Sequence, residues 1–149
     1  MLDPLHAVSV EPEALVPNPP GTHGVVTPAQ AWALVSHKKA VLVDVRTAEE
    51  RKFVGIVPRS IHIPWALGMA LTRNPHFVRD LEARVAKTDT VLLLCRSGKR
   101  SALAAEEATK AGFTQVYNVL EGFEGDLDDE SHRGTLEGWR FRGLPWVQE

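Results

Sequence analysis

The chain has 149 residues, 44% apolar and 24% charged, which is ordinary for a soluble globular protein and enough for one domain with a sizeable core. Eleven glycines and ten prolines without a period exclude a collagen-like or low-complexity chain, and the apolar content excludes a wholly disordered one. Seventeen Lys and Arg against nineteen Asp and Glu give a net charge of −2, so no global field draws the chain to nucleic acid.

Residues 1–26 hold Pro4, Pro12, Pro17, Pro19 and Pro20 and read as an extended N-terminal arm. Thr27-Pro28 is an N-cap followed by a proline at the first helical position, and Ala31, Leu34 and Val35 continue at helical spacing. Ala40 to Val45 is a short run rich in β-branched residues, as a strand buried on both faces would be. Thr47-Ala48-Glu49-Glu50 is a capping box that opens a second helix. Ser60 to Ile63 is a short strand stopped by Pro64, and Asn74 or Pro75 opens a helix with Phe77, Val78, Leu81 and Val85 on one face. Thr90 to Leu94 is a third strand, Ser101 to Ala108 a helix ended near Gly112, and Gln115 to Val119 a fourth strand.

Short apolar strands alternating with helices predict an α/β fold, a parallel sheet of about five strands with helices on both faces. The single domain spans 27–123, and 124–149 form a tail packed on it through Trp139 and Trp146. The acidic run from Glu121 to Glu130 lacks the spacing of a calcium loop. The six histidines are scattered and the cysteine is single, so neither a metal nor a cofactor is expected. The longest stretch free of Asp, Glu, Lys and Arg, Ala14 to His37, is broken by prolines and glycines and cannot be a membrane helix. With no cationic leader before Lys38, a cytoplasmic location is expected.

Cys95 follows four apolar residues and therefore sits at the carboxyl end of a buried strand, the edge where open α/β sheets bind ligands. The loop Arg96-Ser97-Gly98-Lys99-Arg100-Ser101 leads straight into a helix. Its backbone N–H groups and the helix N-terminus form an anion cradle, Gly98 permits the bend, and three cations add positive charge. Each of these features favours a thiolate over a thiol. The arrangement suits a nucleophilic sulfur acting on an anionic substrate.

Five segments, in this order, resemble the rhodanese (thiosulfate sulfurtransferase) domain, single-domain bacterial type, over about residues 27–120. They are Asp44 to Glu50; Gly55 with Ser60-Ile61-His62-Ile63-Pro64; Cys95 to Ser101; Ala111-Gly112-Phe113; and Val119-Leu120-Glu121-Gly122-Phe123. The resemblance implies a persulfide mechanism. Cys95 would take the outer sulfur of a small anionic donor such as thiosulfate and pass it to a thiol or cyanide, a covalent two-step transfer. The loop Arg96, Ser97, Gly98, Lys99, Arg100 and Ser101 would hold the sulfur and the donor, with Lys99 and Arg100 as direct contacts. Asp44 and Arg46 match the family motif and are assigned structural roles, Arg46 pairing with a carboxylate such as Glu50. Arg59 is placed at the site mouth. The chain reads Gly55-Ile56-Val57 where the family usually has Gly-His-Ile, a histidine that a thiolate nucleophile does not need as a base.

Two other readings compete. A persulfide carrier or regulatory module, loaded by a sulfur-relay protein, needs the same cradle. A cysteine phosphatase or arsenate reductase needs C-x5-R, and here the arginine arrives one step early at Arg100 with Ser101 in its place.

Overall fold

A computed structural model describes residues 12–148. Among these described residues seven strands and four helices follow one another as β1 (Gly24–Val26), α1 (Pro28–Ser36), β2 (Val41–Asp44), α2 (Ala48–Val54), β3 (Ile61–His62), β4 (Ala66–Leu67), β5 (Thr72–Arg73), α3 (Phe77–Arg84), β6 (Thr90–Leu94), α4 (Lys99–Lys110) and β7 (Gln115–Val119). Five of the strands form a parallel sheet in the order β1-β7-β6-β2-β3, and β4 and β5 form a separate antiparallel pair. The expected α/β architecture is therefore present. Among the described residues no helix is long and apolar enough to cross a membrane.

Local signals fix two helix starts. Thr27 caps α1 and Thr47 caps α2, and each closes a reciprocal capping box with the residue three positions on, Gln30 and Glu50. Two strand features differ from the sequence expectation. Part of the supposed arm is an edge strand, because Gly24–Val26 pairs with Tyr117–Val119. The pair β4-β5 lies in a stretch the pattern left unassigned. Residues 1–11 of the arm lie outside the described residues.

Side-chain alternation along the central strands builds two cores. Val91, Leu93, Cys95, Val43, Val45 and Val116 face one side, packed against Ala104, Ala105 and Ala108 of α4 and Phe77 and Leu81 of α3. Leu92, Leu94, Leu42, Tyr117 and Val119 face the other, packed against Trp32 and Leu34 of α1 and against Phe123, Trp139 and Leu144 of the C-terminal segment. The same alternation puts Cys95 on the α4 side. Trp139 is fully buried, stands edge-on to Trp32 at 6.1 Å, and donates its indole N–H to the Pro145 carbonyl at 2.9 Å. Trp146 stands edge-on to Phe123 at 6.1 Å, while Ile56 and Val147 exchange two backbone hydrogen bonds of 2.8 and 2.9 Å.

Candidate functional site

β6 ends at Leu94 and α4 starts at Lys99, so Cys95 to Gly98 form a four-residue turn at the carboxyl edge of the sheet. Gly98 is the N-cap of α4 with φ 101°, a left-handed conformation that is costly for any residue with a side chain. This turn brings the Gly98 N–H to 3.1 Å from Cys95 Sγ. The hydroxyl of Ser101, in the first turn of α4, lies 3.2 Å from the same sulfur. No side chain caps α4. The first N–H groups of a helix have no intrahelical acceptor, and here no capping side chain takes them, so the positive end of α4 is left beside the Cys95 turn. Cys95 itself is 1% exposed, at the bottom of the turn.

The segment after β7 straps the turn from outside. Phe123 N–H donates to the Cys95 carbonyl at 2.8 Å, and Glu124 and Gly125 N–H groups donate to the Arg96 carbonyl at 2.9 and 3.1 Å. At Gly122, with φ 68°, a Cβ would overlap the Arg96 carbonyl and the Ser97 nitrogen. Only glycine fits that crossing.

Beside the turn is a cleft of about 250 Å³ lined by Thr47, Glu50, Phe53, Met69, Arg96 and Arg100, among others. Its lip is apolar and open to solvent, Phe53 being 72% and Met69 87% exposed. Among the described residues the buried Nε of Arg96 has no hydrogen-bond partner. Lys99 is exposed on the first turn of α4, and Ser97 is half-buried.

The other cations have different duties from those expected. Arg100 makes a two-pronged ion pair with Glu50, Nη1 to Oε1 at 2.8 Å and Nη2 to Oε2 at 2.9 Å, so its charge is spent inside the protein. Burial would raise the Glu50 pKa. The Arg100 hydrogen bond, the Thr47 amide and the positive charges of Arg100 and Arg46 outweigh it and bring that pKa down to about 2. Arg46 pairs with Asp44 rather than Glu50: Nε and Nη2 reach the Asp44 carboxylate at 3.0 and 2.8 Å, Nη2 also donates to the Gly55 carbonyl at 2.7 Å, and the guanidinium stacks 4.2 Å from the centre of the Phe123 ring. Asp44, at the end of β2, also accepts from Arg51 at 2.9 Å. Arg59 is not at the mouth of the site. It precedes β3 by two residues, so it stands where a parallel strand begins, at the amino edge. There it donates to the Ser36 carbonyl at 3.0 Å and lines a different pocket with Lys38, Lys39 and Thr90.

Two contributions to the site carried no signal in the sequence. Glu50 was legible as a capping residue but not as the partner of Arg100, and Asn118 was legible only as part of a strand. Asn118 is buried, lies 2.5 Å from the Ser101 hydroxyl through Oδ1, and donates through Nδ2 to the Gly98 carbonyl at 3.1 Å. No group of three or more metal-ligating side chains occurs among the described residues.

The chain is similar to known proteins in sequence and in fold. The sequence model of the rhodanese-like domain matches residues 27–128. An uncharacterized protein of Rickettsia prowazekii, RP600, is 37% identical over 115 residues, covering 76% of this chain and 87% of that protein. Thiosulfate sulfurtransferase 16 of Arabidopsis thaliana chloroplasts is 32% identical over 124 residues, covering 80% of this chain and 88% of that protein. The crystal structure of Rv0390 from M. tuberculosis superposes with a TM-score of 0.75 at 46% identity, covering 86% of this chain and 98% of that one.

Proposed function

The chain belongs to the rhodanese-like domain family, and we propose that it is a sulfurtransferase that carries sulfane sulfur on Cys95. The observation that bears most weight is the sulfur itself. Cys95 Sγ lies at the carboxyl edge of the sheet, accepts from the Gly98 N–H at 3.1 Å and sits 3.2 Å from the Ser101 hydroxyl, beside the uncapped start of α4.

In the first step the Cys95 thiolate attacks the outer sulfur of thiosulfate or a similar small anionic donor. The sulfur–sulfur bond of the donor breaks, sulfite leaves with the electron pair, and Cys95 becomes a persulfide. The loop N–H groups stabilise the negative outer sulfur, the role that preorganised donors play wherever charge develops. Arg96 and Lys99 attract the donor, the former through its unpaired Nε. In the second step cyanide or a thiol attacks the outer sulfur and Cys95 returns to the thiolate. Because Cys95 is nearly inaccessible at rest, donor entry requires the turn around it to open. Neither step calls for a cofactor.

Cysteine phosphatase chemistry is disfavoured because the arginine that would wrap a phosphate, Arg100, is committed to Glu50. A persulfide carrier loaded by a sulfur-relay protein shares the first half of the cycle, and the apolar lip at Phe53 and Met69 gives a partner something to touch. The test is intact mass after incubation with thiosulfate. The wild type gains one sulfur atom that a thiol reductant removes, and Cys95→Ser gains none. A wild type that stays unmodified overturns the assignment. Steady thiocyanate formation with cyanide then separates an enzyme from a carrier, which loads without turnover.

A further inference from the structure

Asn118 occupies β7, an interior strand of the sheet, where an amide side chain is costly to bury unless its groups are bonded. Sheet register sets Leu93 beside Asn118, and alternation turns Asn118 to the same face as Cys95, under the start of α4. Its orientation is determined by its neighbours. Nδ2 donates to the Gly98 carbonyl at 3.1 Å; with the amide reversed, two carbonyl oxygens would face each other. Oδ1 is therefore the atom that lies 2.5 Å from the Ser101 hydroxyl. That hydroxyl is also 3.2 Å from Cys95 Sγ, and it has a single proton for two acceptors.

We propose that Asn118 is a positioning residue for Cys95: its carboxamide oxygen competes with the sulfur for the proton of the Ser101 hydroxyl, while its amide nitrogen holds the Gly98 turn. With the thiol, S–H donates to Ser101 Oγ and the Ser101 O–H donates to Asn118, so each group is paired. When the thiol proton leaves to solvent, the hydroxyl turns to Sγ and joins the Gly98 N–H there, and Asn118 Oδ1 loses its donor. The last stage rests on the persulfide reading above. Once negative charge has moved to an outer sulfur atom, Sγ is a weak acceptor and the hydroxyl returns to Asn118. Asn118 thus draws off part of the hydrogen bonding that would otherwise quiet the free thiolate, and takes up the hydroxyl when the sulfur is loaded.

The experiment is a pH titration of thiolate ultraviolet absorbance in the full-length protein. Cys95 is the sole cysteine, and a Cys95→Ser counterpart of each variant subtracts the Tyr117 signal. Asn118→Leu leaves the Ser101 proton to the sulfur alone, so the midpoint falls by about half to one pH unit. Ser101→Ala raises the midpoint, and in that background Asn118→Leu produces no further shift. The charged groups of the turn and its surroundings, Arg96, Lys99, Arg100 and the Arg100 partner Glu50, are the same in every variant. No shift in Asn118→Leu, an upward shift, or an equal fall with and without Ser101 overturns the proposal. Should Asn118→Leu fold poorly, Asn118→Ala carries the same expectations. The titration needs no sulfur donor, so a wild type that fails to load sulfur defeats the functional reading and leaves this result standing.

Discussion

Both oxygens of Glu50 are occupied. Oε1 takes the Thr47 N–H at 3.1 Å, closing the cap of α2, and the two oxygens together take the fork of Arg100. One carboxylate therefore starts a helix and holds the first turn of α4 against it, although the two residues are fifty positions apart in sequence. The folded pKa, about 2, lies below the ordinary value of 4.5, so the folded state binds this proton less readily than the unfolded one. The stabilisation is present above pH 4.5 and is lost as the pH falls from there towards 2. Glu50→Gln should lower stability at neutral pH and flatten the fall in denaturant midpoint across that acid window; an unchanged acid limb would show that the pair contributes nothing. Lys99 is the contrasting case, exposed and, among the described residues, in no ion pair. Lys99→Ala should raise the thiosulfate concentration needed for half-maximal loading by about two- to five-fold, as loss of an exposed charge does. The lifetime of the loaded persulfide should stay the same, because amides rather than this side chain hold the bound sulfur. Equal losses in both would reject that division.

At the scale of elements, the Cys95 turn is held between its own helix and the crossing strap that follows β7. Gly122→Ala forces a Cβ into the Arg96 carbonyl from a φ of 68°, so the strap must shift and drag the three hydrogen bonds it makes to Cys95 and Arg96. The expected result is a loss of stability of about 1–3 kcal/mol in denaturant melts, together with slower loading by thiosulfate. A melt equal to wild type with normal loading would mean that the crossing is soft. The elements that could be read from sequence are those whose causes are local. Thr27 with Pro28 and Thr47 with Glu50 announce their helices within four residues, and Cys95 to Ser101 is a contiguous loop whose glycine and strand-to-helix position are legible at once. β1 gives no such signal: three residues in a proline-rich stretch become a strand only because Tyr117–Val119 lies alongside. The two-residue strands β4 and β5 are equally silent. Arg59 was misplaced because sequence proximity to β3 does not tell which edge of a parallel sheet a residue occupies. The chain has to return to the amino edge before β3 begins, and that takes Arg59 away from Cys95.

Over the whole molecule, the sheet needs cover on both faces, and the helices alone do not supply it. α3 and α4 cover one side; on the other, α1 shares the task with the C-terminal segment, whose Trp139 is buried against Trp32. The same segment carries Phe123 over the buried Arg46 guanidinium and ties Val147 to Ile56, so the tail is a structural layer of the domain. Trp139 is the test of that statement, because it lies far along the chain from the loop yet within one core with Leu92 and Leu94 of β6, the strand that delivers Cys95. Trp139→Ala removes a large buried side chain and its indole hydrogen bond to Pro145, which should cost about 3–5 kcal/mol in chemical denaturation. The backbone bond from Trp139 N–H to the Gly122 carbonyl, 2.8 Å, does not depend on the side chain and should keep the strap in place. Under native conditions the variant should therefore still load one sulfur atom, with a lower melting temperature and a near-normal loading rate. If loading disappears while stability barely changes, the tail belongs to the chemistry of the site and its role as a packing layer is wrong.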